Sequence, residues 1–167
     1  MVYPDFIGLV DVGEKISLFG LPVASASYAY SVIPVIMMAW VMTYVEKLAD
    51  KIFLMDVEAK RAAKHCEPGQ FVIVKMDEEG ERIPLTICDF NREEGTITIV
   101  FQTVGASTEK MAELKAGDAF RDVVGPLGNA SDFVKEDVAE LKNKKYLFVA
   151  GGVGAAPVYP QVKWMHE

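Results

Sequence analysis

Hydrophobic and polar positions divide the chain into two regimes. From Ile16 to Val45 no charged residue occurs, and from Glu46 onward charges recur every few positions. The uncharged run is longer than the ~20 residues needed to cross a hydrocarbon core and predicts a hydrophobic helical segment of membrane type. Its most apolar part is Ile33 to Val45, "IPVIMMAWVMTYV", with Pro34 suited to a first helical turn and Trp40 and Tyr44 suited to an interface. The same residues also read as a buried helix of a globular domain. Glu14 and Lys15 on one side and Glu46 and Lys47 on the other balance, so they give no orientation.

Beyond Ile52 the period changes to two. "FVIVKM" (71–76) follows the turn residues Pro68 and Gly69, and "TITIVF" (96–101) alternates polar with apolar. "NREEG" between "RIPLTIC" and "TITIVF" predicts a hairpin, and "AFRDVVGPLG" predicts a further strand ending at Gly-Pro. Several short strands at this spacing point to a small antiparallel barrel. One helix interrupts them at "STEKMAELKAGD", with Ser107 or Thr108 as cap and Gly117 as the stop. A last apolar run, Tyr146 to Ala150, predicts a strand leading through glycines into a helix.

Composition removes several function classes. The chain of 167 residues carries a net charge of −7, so it has no basic stripe for a nucleic-acid backbone. Its cysteines, Cys66 and Cys88, stand in no C-x-x-C or Cys/His pattern, so ligands for zinc or an iron–sulfur cluster are not expected. Two buried thiols are expected, with one disulfide as the alternative. His65 and His166 are isolated. No side chain suggests an acid, base or nucleophile, and no metal site is expected.

Three short motifs carry candidate chemistry. In "RIPLT", Pro84 confines its strand to an edge or bulge, while Arg82 offers a planar fork to a phosphate and Thr86 a hydroxyl on the same side. From these residues alone a plain edge strand with a surface arginine is the simpler reading. "FQTVGAST" runs from a strand through Gly105 into a helix whose start, with Ser107 and Thr108, suits an anion; ordinary capping explains the hydroxyls as well. "VAGGVGAAPVY" places Gly151, Gly152 and Gly154 between strand and helix, the start of a nucleotide-binding α/β unit or simply a tight turn.

In this order, "EPGQFV", "RIPLTICD", "VGAST", "GPLGN" and "VAGGVGAAPVYPQVKW" resemble the ferredoxin–NADP reductase superfamily. The nearest branch contains the electron-transfer subunit of dihydroorotate dehydrogenase and the alpha subunit of NADH-dependent ferredoxin–NADP reductase. The resemblance implies a mostly β fold: an FAD-binding Greek-key barrel over residues 53–142, then the start of an NAD(P)-binding α/β domain over 143–167. It implies FAD contacts at Arg82, Pro84, Leu85 and Thr86, at Val100, Phe101 and Gln102, and at Gly105, Ser107 and Thr108. Gln102 departs from the arginine common in the dihydroorotate subunits. Gly151, Gly152 and Gly154 would begin the nicotinamide-nucleotide site. In the intact family, hydride passes from NAD(P)H to FAD and single electrons pass on to an iron–sulfur centre in a catalytic partner complex. The family's cluster-binding cysteines lie beyond Glu167, and one strand with one helix does not build a dinucleotide crevice, so a truncated, catalytically incomplete subunit in the cytoplasm is expected.

Residues 3–52, within an expected hydrophobic helical segment over 1–52, resemble a different family, the membrane component of β-glucoside-type phosphotransferase sugar transporters, on "FGLPV", "YAYSVIPVI" and "AWVMTYVEKLADKI". This implies a junction near Asp50 to Phe53, a barrel whose first strand is replaced, and membrane association through residues 16–45. A sugar-permease fragment and an inactive chimera are the alternative functions.

Overall fold

A computed structural model describes residues 9–12, 15–18, 21–23 and 40–167. The chain divides into two units, Met1–Ala39 and Trp40–Glu167. In the first, β1 (Leu9–Val12), β2 (Lys15–Leu18) and β3 (Leu21–Val23) form an antiparallel meander. Leu9 stands opposite Leu18, and Leu18 opposite Leu21. Strands therefore occupy 16–18 and 21–23 where a helix was expected. Residues 24–39, which include most of the expected span from Ile33 to Val45, lie outside the described residues.

The second unit differs from the expected helix and from a barrel without its first strand. Trp40–Ala49 is a strand, β4, and not the end of a helix. It pairs along its length with β5 (Ile52–Glu58), from Met42 opposite Val57 to Ala49 opposite Ile52. The barrel's first strand is thus present, and the barrel starts ahead of Phe53. Among the described residues no helix is long and apolar enough to cross a membrane.

The remaining strands are β6 (Phe71–Lys75), β7 (Ile83–Asn91), β8 (Thr96–Gln102), β9 (Ala119–Phe120) and β10 (Asp122–Leu127). Their order is β10-β6-β7-β8-β5-β4-β9, antiparallel throughout. Three hairpin-linked strands, β6 to β8, with β5 returning beside β8, make a Greek key. Arg121 alone separates β9 from β10, so one extended stretch pairs with β4 at its start and with β6 at its end. The Met42 N–H donates to Asp118 O at 2.8 Å and the Gly117 N–H to Met42 O at 2.9 Å, extending that closure. The barrel is nearly closed, and β4 is the strand that closes it.

Alternation along the strands fills the interior. Met42, Met55, Val57, Val72, Val74, Ile87, Ile97, Ile99, Phe101 and Phe120 are buried in one cluster. One end is plugged by α1 (Lys60–His65), which buries Ala62 and Ala63; this helix was not expected. Met111 of α2 (Ala106–Ala112) plugs another part of the core. A short helix, α3 (Val138–Leu141), is capped by Asp137, whose carboxylate accepts from the Ala139 N–H at 2.8 Å. The expected strand over Tyr146–Ala150 is not formed: a strand exists only through its ladder, and no described strand pairs with these residues. Leu147 and Val149 stay exposed. The glycine loop then leads into α4 (Ala155–His166), which packs on the outer side of β7.

Candidate functional site

Strand β7 changes partners midway. Ile83 to Thr86 pair with β6, from Val74 opposite Ile83 to Phe71 opposite Thr86. Its pairing with β8 runs only from Asn91 opposite Thr96 to Ile87 opposite Ile99. β8 pairs with β5 along its whole length, so Val100 to Gln102, opposite Leu54, Phe53 and Ile52, keep that ladder and have no partner on β7. The seam between β7 and β8 therefore opens at Thr86 and Val100. Pro84 sits in the opened part, where a missing amide interrupts no ladder with β8.

That seam unites two of the three motifs. Pro84 and Thr86 share one face of β7 by the two-residue period, Arg82 stands just before the strand, and Arg82 and Pro84 are exposed. Arg82 Nη1 donates to Asp122 Oδ2 at 3.1 Å, an exposed pair of little energetic weight. Val100 is half-buried on the outer face of β8, and Gln102 is exposed at its end. Phe101 points into the barrel, 2 % exposed and stacked on Phe53 with centroids 5.8 Å apart. Leu85 packs against the core cluster. Only the backbones of these two residues face the seam.

The helix start after β8 also differs from expectation. The cap is Gly105, not Ser107 or Thr108. The Thr108 hydroxyl folds back to accept from the N–H of Val104 at 2.9 Å and of Gly105 at 3.1 Å, and it donates to Gly105 O at 2.9 Å. Ser107 lines an open groove of about 580 Å³ with Ile83 and Lys110, so the starts of α2 and β7 are neighbours. Asp77, Glu78, Glu79 and Glu81 rim that groove, with Lys110 Nζ 2.6 Å from Asp77 Oδ2. Such a rim repels a phosphate, which leaves Arg82 and the amides of 106–108 as the anion-favouring groups.

The third motif reaches the same strands from outside. Gly152 and Val153 of the loop, with Ala156 and Tyr159 of α4, face Val100, Leu54, Ile52, Tyr44 and Leu48 across a groove of about 620 Å³. Asp56 crosses its floor and accepts from the Thr98 hydroxyl at 2.5 Å. Gly151 and Gly154 lie exposed or nearly so beside it. The sequence did not single out Asp89, Lys163 and Tyr159, which complete this face.

Both thiols are free and buried. Burial pushes Cys66 and Cys88 from the ordinary 9.0 up to about 11, with Arg92 partly offsetting this at Cys66 and Asp89 adding to it at Cys88. Unfolded thiols therefore lose protons before folded ones, and stability should fall as pH rises from 9.0 towards about 11. Urea unfolding across that window should show the fall, and a Cys66→Ala/Cys88→Ala chain should show less of it. Among the described residues no cluster of His, Cys, Asp and Glu could hold a metal ion.

No protein-family model matches the chain. A Clostridium beijerinckii protein of the adh 3′ region is 62% identical over 122 residues, 73% of this chain and 41% of that protein. The Thermotoga maritima homolog of the dihydroorotate dehydrogenase B (NAD(+)) electron transfer subunit is 41% identical over 122 residues, 72% of this chain and 40% of that protein. Among solved structures, the NADH-dependent reduced ferredoxin–NADP oxidoreductase, studied for flavin-based electron bifurcation, matches with a TM-score of 0.65 and 35% identity. The match covers 76% of this chain and 44% of that one. The chain spans about two-fifths of the length of the curated relatives it matches. Over that stretch its sequence is similar to that of a protein named as an electron transfer subunit homolog, and its barrel is similar to that of the solved oxidoreductase. None of these relatives is named as a sugar transporter, so they give no support to the transporter resemblance of residues 3–52.

Proposed function

We propose that this chain is the flavin-binding part of an oxidoreductase electron-transfer subunit, taking FAD along the open β7–β8 seam. The observation that carries the reading is the parting of β7 from β8 at Thr86 and Val100, where two independently read motifs meet. The residues fit the group: a flavin needs a backbone edge with unpaired groups beside an apolar face, and its diphosphate needs a guanidinium or free amides. Thr86, Val100, Gln102 and the backbones of Pro84, Leu85 and Phe101 would hold the ring and ribityl portions. Arg82 and the Gly105, Ser107 and Thr108 segment would hold the diphosphate. Bound FAD would supply the chemistry, accepting a hydride and passing single electrons. The protein's task is to orient it and to keep water from one of its faces, which the apolar outer residues Ile52, Leu54 and Val100 can do.

In this reading residues 143–167 begin a nicotinamide-nucleotide unit, with Gly151, Gly152 and Gly154 at its phosphate turn. NAD(P)H is the electron donor, and a catalytic partner subunit with an iron–sulfur centre is the acceptor. The relatives named as electron transfer subunits support this.

The test is titration of FAD into the chain, followed by flavin fluorescence quenching. Saturable quenching is expected. Arg82→Ala should weaken it about tenfold or more, as loss of a charge-assisted hydrogen bond of about 1.5–3 kcal/mol implies. Quenching that does not saturate with a folded chain would overturn the reading.

A further inference from the structure

We propose that Asp89 and Lys163 are a positioning pair that holds α4, and with it the Gly151–Gly154 loop, closed over the outer face of β7, β8 and β5. The pair begins with a bulge. Ile87 stands opposite Ile99 but Asp89 stands opposite Thr98, so Cys88 is an extra residue in β7. Without it Asp89 would share the inward side of Ile87, and a carboxylate would enter an apolar core. With it Asp89 shares the outward side of Thr98, beneath α4.

Lys163 meets it there. Its Nζ lies 2.8 Å from Asp89 Oδ1 and 3.0 Å from Oδ2, and the hydrogen bond to Asp89 raises the lysine's pKa. The side chains are 40% and 27% exposed, less than those of the other ion pairs of this unit. Next to it, Trp164 packs on Phe133 with ring centroids 5.2 Å apart. The C-terminal half of α4 is therefore anchored twice. At the other end, a Cβ placed on Gly151, Gly152 or Gly154 would meet nothing within 4 Å. The loop ahead of α4 is thus loosely contacted, while Ala156 in the first turn of the helix is buried, so the height of α4 over the strands is set by that packing together with the Asp89–Lys163 and Trp164–Phe133 anchors.

Cys88 reports that height. It is 8% exposed and lines the groove with Gly152 and Ala156 of the loop and α4. Cys66 is fully buried within the core cluster on the α1 side. If α4 lifts, Cys88 is uncovered and Cys66 is not.

The experiment measures iodoacetamide labelling of the full chain at neutral pH, with each cysteine followed by peptide mass spectrometry. Lys163→Met keeps the stem and removes the charge. It leaves the Asp89 carboxylate unpaired beside Cys88, which opposes thiolate formation, so simple electrostatics predicts slower labelling. The expected result is the opposite: Cys88 labelling rises about five- to tenfold as the helix opens locally, while Cys66 labelling stays unchanged. Lys163→Arg, which keeps the ion pair, should label at the native rate. Thermal unfolding of both variants confirms that the barrel remains. An unchanged or slowed Cys88 rate in Lys163→Met overturns the proposal. So does a parallel rise at Cys66, which would mean general loosening. The consequence for a nucleotide over the groove rests on the flavin reading. The labelling itself involves no flavin, so it can fail while FAD binding stands, and the reverse.

Discussion

A chain that begins at Phe53 is expected to show no cooperative unfolding transition, whereas one that begins at Trp40 should unfold in a single step. The difference is β4. Removing it strips β5 of a partner along most of its length and leaves β9 with none. It also removes Met42, which is 0% exposed, and uncovers Phe120, which is 2% exposed. Losing one buried Met or Phe side chain costs about 2–5 kcal/mol, and a domain of this size has only about 5–15 kcal/mol in total. Two bare edges on either side of the gap would then invite association between chains. Chemical denaturation followed by circular dichroism decides the matter. In the full chain, Phe120→Ala should lower stability by about 3–5 kcal/mol, because its ring is the plug between β4 and the barrel interior. A cooperative transition in the Phe53 chain would show that the barrel closes without β4.

The barrel was legible in the sequence wherever one face of a strand meets the core and the other meets solvent. "FVIVK" and "TITIVFQ" alternate because their neighbours bury every second residue, and "NREEG" turns where the hairpin turns. β4 was not legible for the same physical reason reversed. Met42 is its one fully buried residue, so it shows no alternation, and its apolar start continues the uncharged run before it. Its role as closing strand is set by Phe120 and Asp118, far along the chain.

At the site, the motif positions were legible but side-chain directions were less so. A period of two assigns Pro84 and Thr86 to one face correctly. The same rule puts Leu85 on the side of Ile87 and Phe101 on the side of Ile99, both facing the core, which leaves their backbones for the cofactor. The cap moved from Ser107 or Thr108 to Gly105 because the Thr108 hydroxyl turns back onto the Val104 and Gly105 amides. The bulge at Cys88 leaves no mark in composition, and with it the Asp89–Lys163 contact was invisible.

Gly105 separates what the fold needs from what a ligand needs, and Gly105→Ala is expected to leave stability within about 0.5 kcal/mol while weakening FAD binding about tenfold. Its φ of −175° is extended backbone that alanine adopts freely, and a Cβ there would meet nothing within 4 Å. Nothing in the folded chain therefore asks for glycine, and removing a flexible residue from the unfolded chain favours the variant slightly. A diphosphate held on the amides after Gly105 does ask for it, since a methyl group at the cap stands where phosphate oxygens approach. Gly117 is the contrasting control. Its φ of +98° is left-handed, so Gly117→Ala should cost about 1 kcal/mol or more of stability and leave flavin affinity alone, although the same Cβ test finds open space around it. Urea unfolding and FAD titration on the two variants give four numbers with a crossed pattern. If Gly105→Ala binds FAD as tightly as the native chain, the diphosphate does not sit at the start of α2, and Arg82 would be its remaining anchor.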